Sequence, residues 1–474
     1  MPGGTSPKAK PSLSDVVDDI GLGPAQLRVG ILAGGVWAAD GSELLLISSV
    51  ASTLATEWSL SPFWKGFVVT VVYTGLMLGN VGSGPLGAHL GRRELVIASY
   101  LGIFVFSILS SMSPHLLVLL IVRFFVGVSI GLGQPAALAM GLESSPTGWR
   151  IFTNGMSQAL FTLGEVYSAL LLMTDDPKLQ DLNWRRLIQL GAIPALVLLF
   201  MSIFLLQQSP TFLLMKGRHR EAVRVLENMR SDNGACDVSL DFTLPPKASR
   251  SSIPNSSTDS TDGLLDMFWG QMKVISSSKL LVPTIIVSGT CFQLNLTYYG
   301  SLYAFPQVLS SLVQEGAAIQ LLLGAFWEFP GLAIGIALGM FYTRKSGSKI
   351  YLTLTACVLL LFIIGGNNQR QHWAFHIALY GGYYGIKMVP LIGFVLIYQV
   401  ASELYPAEAR TLGVGICLAS GRLAAMLGPL IFEMLLSISG TSFTFFLLMA
   451  AIAILNLYVI DWVPETSSRM DREA

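Results

Sequence analysis

Apolar residues fall in long runs separated by short polar interruptions. A membrane-spanning helix needs about 20 mostly apolar residues, and runs of that length recur twelve times. The first six lie at roughly 28–56, 66–88, 95–113, 115–139, 152–174 and 186–206; the second six lie at 281–306, 318–342, 350–366, 372–401, 411–437 and 441–462. The pattern predicts an all-α membrane protein with twelve transmembrane helices in two six-helix halves. The expected division is an N-terminal segment 1–26, a first half 27–206, a polar linker 207–280, a second half 281–463 and a tail 464–474.

Within the linker, Ala222, Val223, Leu226 and Met229 recur at helical spacing and predict a surface helix. Residues 249–260 are rich in Ser, Pro and Asn, the composition of a flexible linker. Arg92, Arg93, Arg344, Lys345 and Lys349, with five further basic residues in the linker, fall on one side of the membrane if both termini are cytoplasmic. An internal repeat supports two halves: Glu143-Ser-Ser-Pro146-Thr-Gly-Trp-Arg150 after span 4 is matched by Glu403-Leu-Tyr-Pro406-Ala-Glu-Ala-Arg410 after span 10. Paired six-helix halves around a central site are a known transporter plan.

Composition narrows the picture. Hydrophobic residues make up 52% and charged residues 12% of 474, and net charge is zero. Soluble globular chains carry about 25% charged residues, so a fully water-facing surface is excluded, and nothing points to nucleic acid. The four cysteines (Cys236, Cys291, Cys357, Cys417) form no metal-ligand spacing and read as small hydrophobes. No Walker sequence, catalytic triad or metal-ligand cluster occurs, so neither an enzyme nor a cofactor is expected.

Ionisable groups inside a membrane are costly and mark function. Asp40 and Glu43 in span 1 are three residues apart, which puts both carboxylates on one helix face and suits proton uptake. The alternative is a permanent pairing of one of them with an arginine. Arg123 near the start of span 4 suits interfacial snorkelling, and Glu165 in span 5 either titrates or holds a fixed salt bridge, with Arg123 as the candidate partner. Gln293 and Asn295 bring amides to membrane depth in span 7, and Tyr298 and Tyr299, before Gly300, suggest a polar aromatic surface at a helix break. Glu328 in span 8 is the expected resting partner of Lys387 in span 10, and Tyr380, Tyr384 and Lys387 share a face at i, i+4, i+7. A lysine facing the solute would favour an organic anion; dominant carboxylates would favour an organic cation.

Gly84-Pro-Leu-Gly-Ala-His-Leu-Gly91-Arg92-Arg93 resembles the signature loop between spans 2 and 3 of the major facilitator superfamily. Gln208-Ser-Pro210-Thr-Phe-Leu-Leu-Met-Lys-Gly217-Arg218 and Val463-Pro464-Glu465-Thr466 resemble sugar-porter motifs. Ala39-Asp40-Gly-Ser-Glu43-Leu-Leu, Glu165-Val166 and Tyr298-Tyr299-Gly300 resemble the synaptic vesicle 2-related and metabolite:proton symporter branch. The resemblance implies alternating access, with spans 1, 4, 7 and 10 around a midplane site, and proton transfer as the other role for Arg123, which resembles the arginine at this place in the superfamily. It also implies a cytoplasmic gating network of Arg92, Arg93, Glu143, Arg150, Glu403 and Arg410, with Arg422 either structural or solute-binding. Ala88 stands where the family carries an acidic gate residue. The function expected is secondary transport of a small organic ion or vitamin-like metabolite, with protons, substrate and lipid bilayer as partners. The rivals are a non-transporting receptor or trafficking protein and an uncoupled sugar facilitator.

Overall fold

The structure is a computed structural model that describes residues 11–242, 269–312, 316–367, 373–405 and 409–464. Every regular element among the described residues is helical. A short amphipathic helix α1 (Leu13–Ile20) opens with a capping box in which Ser12 and Asp15 satisfy each other's backbone N–H groups. The first half then runs α2 (Pro24–Glu57), α3 (Pro62–Leu90), α4 (Arg92–Ser111), α5 (Leu116–Ser144), α6 (Arg150–Asp175), and the stacked pair α7 (Trp184–Gly191) and α8 (Ile193–Leu205). Two linker helices follow, α9 (Pro210–Met215) and α10 (His219–Asp232). The second half is α11 (Leu281–Leu312), α12 (Ala317–Phe341), α13 (Arg344–Asn367), α14 (Trp373–Glu403), α15 (Arg410–Ser439) and α16 (Phe443–Val459).

Eleven of these segments, counting α7 with α8 as one, are long and apolar enough to cross a membrane. The twelfth, α11, has the length but is diluted by Gln293, Asn295 and its tyrosines. That is the signature of a central helix buried by its neighbours rather than by lipid, and 22 of its 32 residues are buried. The expected break at Gly300 does not occur: α11 is continuous. Gly300 instead lets Phe445 approach so closely that a Cβ would lie 2.7 Å from its ring. The chain is thus an all-α, multi-pass membrane protein.

Small residues set the helix crossings that carry the site. A Cβ on Gly41 would lie 2.2 Å from the Phe161 carbonyl oxygen, and one on Gly164 would lie 2.0 Å from that of Ala38. The α2–α6 crossing is therefore backbone against backbone, directly beside Asp40 and Glu165. Gly331 meets the Met388 carbonyl in the same way and brings α12 against α14 beside Lys387.

One end of the bundle carries the basic turns. There α1 packs on α10 through Val16, Val17, Ile20, Leu226 and Met229, so the linker helix forms where its apolar spacing predicts, though Val223 is only half-buried. At the far end the two halves touch each other. Lys65 at the start of α3 pairs with Glu433 of α15 at 3.1 Å, Tyr303 donates to the same carboxylate, Thr70 donates to the Met426 carbonyl, and the Ala318 N–H donates to the Pro177 carbonyl.

Candidate functional site

Three polar clusters occupy the middle of the bundle. The first lies inside the first half. Arg123 of α5 pairs with Glu43 of α2 at 2.6 Å, and Ser107 of α4 donates to the other carboxylate oxygen. Arg123 is 1% and Glu43 2% exposed, so each neutralises a charge that would otherwise be stranded, while Nε and Nη2 of Arg123 have no hydrogen-bond partner among the described residues. The pairing takes Arg123 away from Glu165, the partner that its sequence position suggested.

The second cluster bridges the halves. Lys387 of α14 lies 2.6 Å from Glu165 of α6 and pairs also with Glu328 of α12. The Tyr298 hydroxyl of α11 lies 3.0 Å from Glu165 and 3.2 Å from Glu328 and shares its one proton between the two carboxylates. Thr162, one turn before Glu165, donates to Glu328 at 2.7 Å. The ammonium also lies 5.5 Å from the centre of the Tyr298 ring. Two carboxylates around one ammonium leave a formal charge of −1 in a fully buried setting.

The third cluster also bridges the halves. Asp40 of α2 accepts from the Gln134 amide of α5 at 2.6 Å. The other face of that amide accepts from Arg422 of α15 at 3.4 Å, and Arg422 donates to Tyr299 at 3.4 Å. Tyr73 of α3 packs edge-on against Tyr299, with 5.4 Å between ring centres. Consecutive tyrosines of one helix thus serve different clusters: Tyr298 the lysine, Tyr299 the arginine.

Asp40 and Glu43 share a face as their spacing predicts, but they meet different partners, Gln134 and Arg123. Gln293 and Asn295 lie within the second half. Gln293 donates to Thr297 and accepts from Tyr351, and Asn295 donates to the Cys291 carbonyl and to Tyr398. Tyr384 donates to Gln320, stacks on Trp327 and carries Tyr380 in the same stack, beside the lysine cluster rather than in it. Sequence reasoning missed Trp37, Tyr73, Gln134 and Thr162; their signal is a polar group inside an apolar run, weaker than a charge. Of the cysteines, Cys291 and Cys417 are buried, while Cys357 and Cys236 are exposed.

At the basic end, Arg92 pairs with Glu143 at 2.8 Å, and Glu143 also accepts from Ser209. The second half repeats this clamp with Arg344, whose guanidinium makes two 3.1 Å bonds to Glu403. Arg344 begins span 9 as Arg92 begins span 3; the sequence reading placed Arg92 in the gating network but used Arg344 only for orientation. Arg93 donates to the carbonyls of Leu206 and Ile203 and so ties the α3–α4 turn to the end of α8. Gly91 has φ +111° in that turn, and a Cβ there would meet the Gln208 amide at 2.3 Å. Arg150 is exposed and in no ion pair among the described residues; the side chains of Arg410 and Ala88 lie outside them. A surface groove of about 610 Å³ lies elsewhere, between α11, α15 and α16, and is lined mainly by apolar residues such as Ile285, Phe292, Ile416 and Leu455.

Twelve long helical segments among the described residues, α7 with α8 counted as one, with buried charges contributed to the middle of the bundle by both halves, define a membrane transporter of the major facilitator type. The chain belongs to the family described as "Sugar (and other) transporter", which matches residues 40–473. It is 26% identical over 449 residues to organic cation/carnitine transporter 7 of Arabidopsis thaliana, covering 87% of this chain and 86% of that one. It is 25% identical over 437 residues to the synaptic vesicle 2-related protein of Bos taurus, covering 90% and 76%. Its fold matches the inward-open xylose transporter XylE of E. coli with a TM-score of 0.72 at 18% identity, covering 94% of this chain and 98% of that chain.

Proposed function

We propose that the protein is a secondary active transporter of a small charged organic solute, working by alternating access and coupled to protons. The observation that supports this most is the Glu165–Lys387–Glu328 cluster, since it joins the halves and carries one carboxylate more than its lysine can neutralise. Protonation of a carboxylate removes the surplus charge and loosens the link between α6 and α14. A proton taken up there therefore alters how strongly the two halves hold together, which is what coupling requires.

In this reading residues 27–206 and 281–463 rock as two bodies about the midplane. The contacts of Lys65 and Thr70 with α15 close the far end in the state described. The clamps Arg92–Glu143 and Arg344–Glu403 each stiffen their own half. Both termini are cytoplasmic, and the basic end with them. Asp40, Gln134, Tyr299 and Arg422 hold the solute; Glu165, Glu328 and Lys387 hold the proton.

The test is uptake into liposomes containing the purified protein, with an imposed pH gradient and four labelled probes: glycine betaine, choline, propionate and D-xylose. At least one charged probe accumulates above equilibrium, only with the gradient, and Glu165→Gln equilibrates that probe without concentrating it. A Glu165→Gln protein that still concentrates solute refutes the coupling role.

A further inference from the structure

Around Asp40, hydrogen-bonding capacity is left over. Asp40 is 0% exposed, yet Gln134 satisfies only one of its oxygens, and the other, Oδ1, is buried and has no hydrogen-bond partner among the described residues. The Tyr73 hydroxyl and the Trp37 Nε1 are buried and unpartnered as well. Trp37 precedes Asp40 by three residues on α2, and the Tyr73 ring abuts Tyr299. A buried polar group that lacks a partner forfeits its hydration without compensation. A stranded carboxylate oxygen with two more such groups nearby marks a place where a ligand supplies the missing bonds.

The charges around this place are of both signs. Asp40 comes from the first half and Arg422 from the second, and the Gln134 amide lies between them as a neutral spacer. Both contacts of Arg422 are long, 3.4 Å, so its guanidinium is held loosely and keeps donors to offer. A simple cation drawn to Asp40 meets Arg422, and a simple anion drawn to Arg422 meets Asp40. A solute that bears both charges satisfies both.

We propose that this site binds a small zwitterion, its cationic end on Asp40 beside Trp37 and Tyr73, its carboxylate on Arg422 and Tyr299. The proposal rests on the transport reading only in taking this cluster as the solute site. It gives each half one charge of the solute to hold, so the bound zwitterion draws the halves together where neither of its ends alone would.

The experiment measures binding to the purified full-length protein in detergent. The probes are glycine betaine, 4-(trimethylammonio)butanoate, choline, propionate and D-xylose. At least one of the two zwitterions binds saturably, and choline, propionate and D-xylose bind at least tenfold more weakly. In Arg422→Gln that advantage over choline disappears, and choline itself binds more tightly than to the wild type because the guanidinium that opposes it is gone. In Asp40→Asn it is the advantage over propionate that disappears. The wild-type comparison needs no variant to fold, and each variant's melting temperature without ligand is recorded beside it.

The assignment is overturned if neither zwitterion binds, if choline, propionate or D-xylose binds as tightly, or if both variants keep the wild-type preference. Its failure is separable from failure of the transport reading. Gradient-driven uptake of choline without zwitterion binding removes only the zwitterion. Zwitterion binding without uptake of any probe removes only transport.

Discussion

Lys387 is the cation against which two buried carboxylates lie. It neutralises one of two carboxylates at full burial, so Lys387→Met strands both Glu165 and Glu328. Removing one partner of a buried pair costs about 3–5 kcal/mol. The variant therefore melts well below wild type in detergent, whereas Glu165→Gln, which leaves Lys387 paired with Glu328, loses less than half as much. Adding Glu165→Gln and Glu328→Gln to Lys387→Met removes all three charges; stability returns toward wild type, while accumulation against a gradient does not. If the triple variant is no more stable than Lys387→Met, the charge account of this cluster is wrong. The residues themselves were legible in the sequence, because a charge inside an apolar run stands out. Their partners were not. Glu165 and Lys387 are 222 positions apart, and which cation meets which carboxylate is decided by how α6 crosses α14, not by anything local. From the sequence Arg123 suggested itself as a partner for Glu165, and the arginine that pairs with Glu43 had no name until the helices were in place.

At the scale of elements, the crossings depend on missing side chains. Gly164 lets α6 lie on the backbone of α2, so Gly164→Leu wedges the pair apart and displaces Glu165 from Lys387. Overpacking costs typically about 1–3 kcal/mol, occasionally more. The expected outcome is a lowered melting temperature together with loss of accumulation, measured on the same preparation. Wild-type stability and uptake would deny the crossing its role.

The α6–α7 loop makes a further prediction, in pH. Burial pushes the Asp176 carboxyl up, but the N–H groups of Asp181, Lys178 and Gln180 outweigh it and hold the group below its ordinary range. A depressed carboxylate stabilises the folded loop above its ordinary pKa and loses that contribution as pH falls through its folded value. This loop presents Pro177 to Ala318 of the other half. Protection of the Ala318 amide from hydrogen exchange, corrected for intrinsic rates, therefore drops below about pH 4, and Asp176→Asn lacks that protection at every pH. Helix positions were readable from hydropathy to within a few residues. The continuity of α11 was not, because Tyr-Tyr-Gly suggests a turn until Phe445 is seen packed against the glycine.

For the whole molecule, the Lys65–Glu433 contact closes the far end. Glu433→Gln weakens it and shifts the population toward the opposite-facing state. A Thr70→Cys reporter, in a background with Cys236 and Cys357 replaced by Ser, reacts faster with a membrane-impermeant maleimide in the Glu433→Gln protein. Equal rates would place the far-end gate elsewhere. The two-half plan was legible from the repeated E-x-x-P-x-x-x-R motif and from hydropathy. The far-end contact was not, since Lys65 and Glu433 each sit near a span end, where charges are ordinary.

The central claim is that a charge shared between the halves couples solute movement to protons. It is tested most directly by uptake into liposomes with glycine betaine, choline, propionate and D-xylose, comparing wild type with Glu165→Gln with and without a pH gradient. The account predicts that a charged probe is concentrated by the wild type under the gradient and merely equilibrated by the variant. Accumulation that is indifferent to the gradient, or equal in the two proteins, would contradict it.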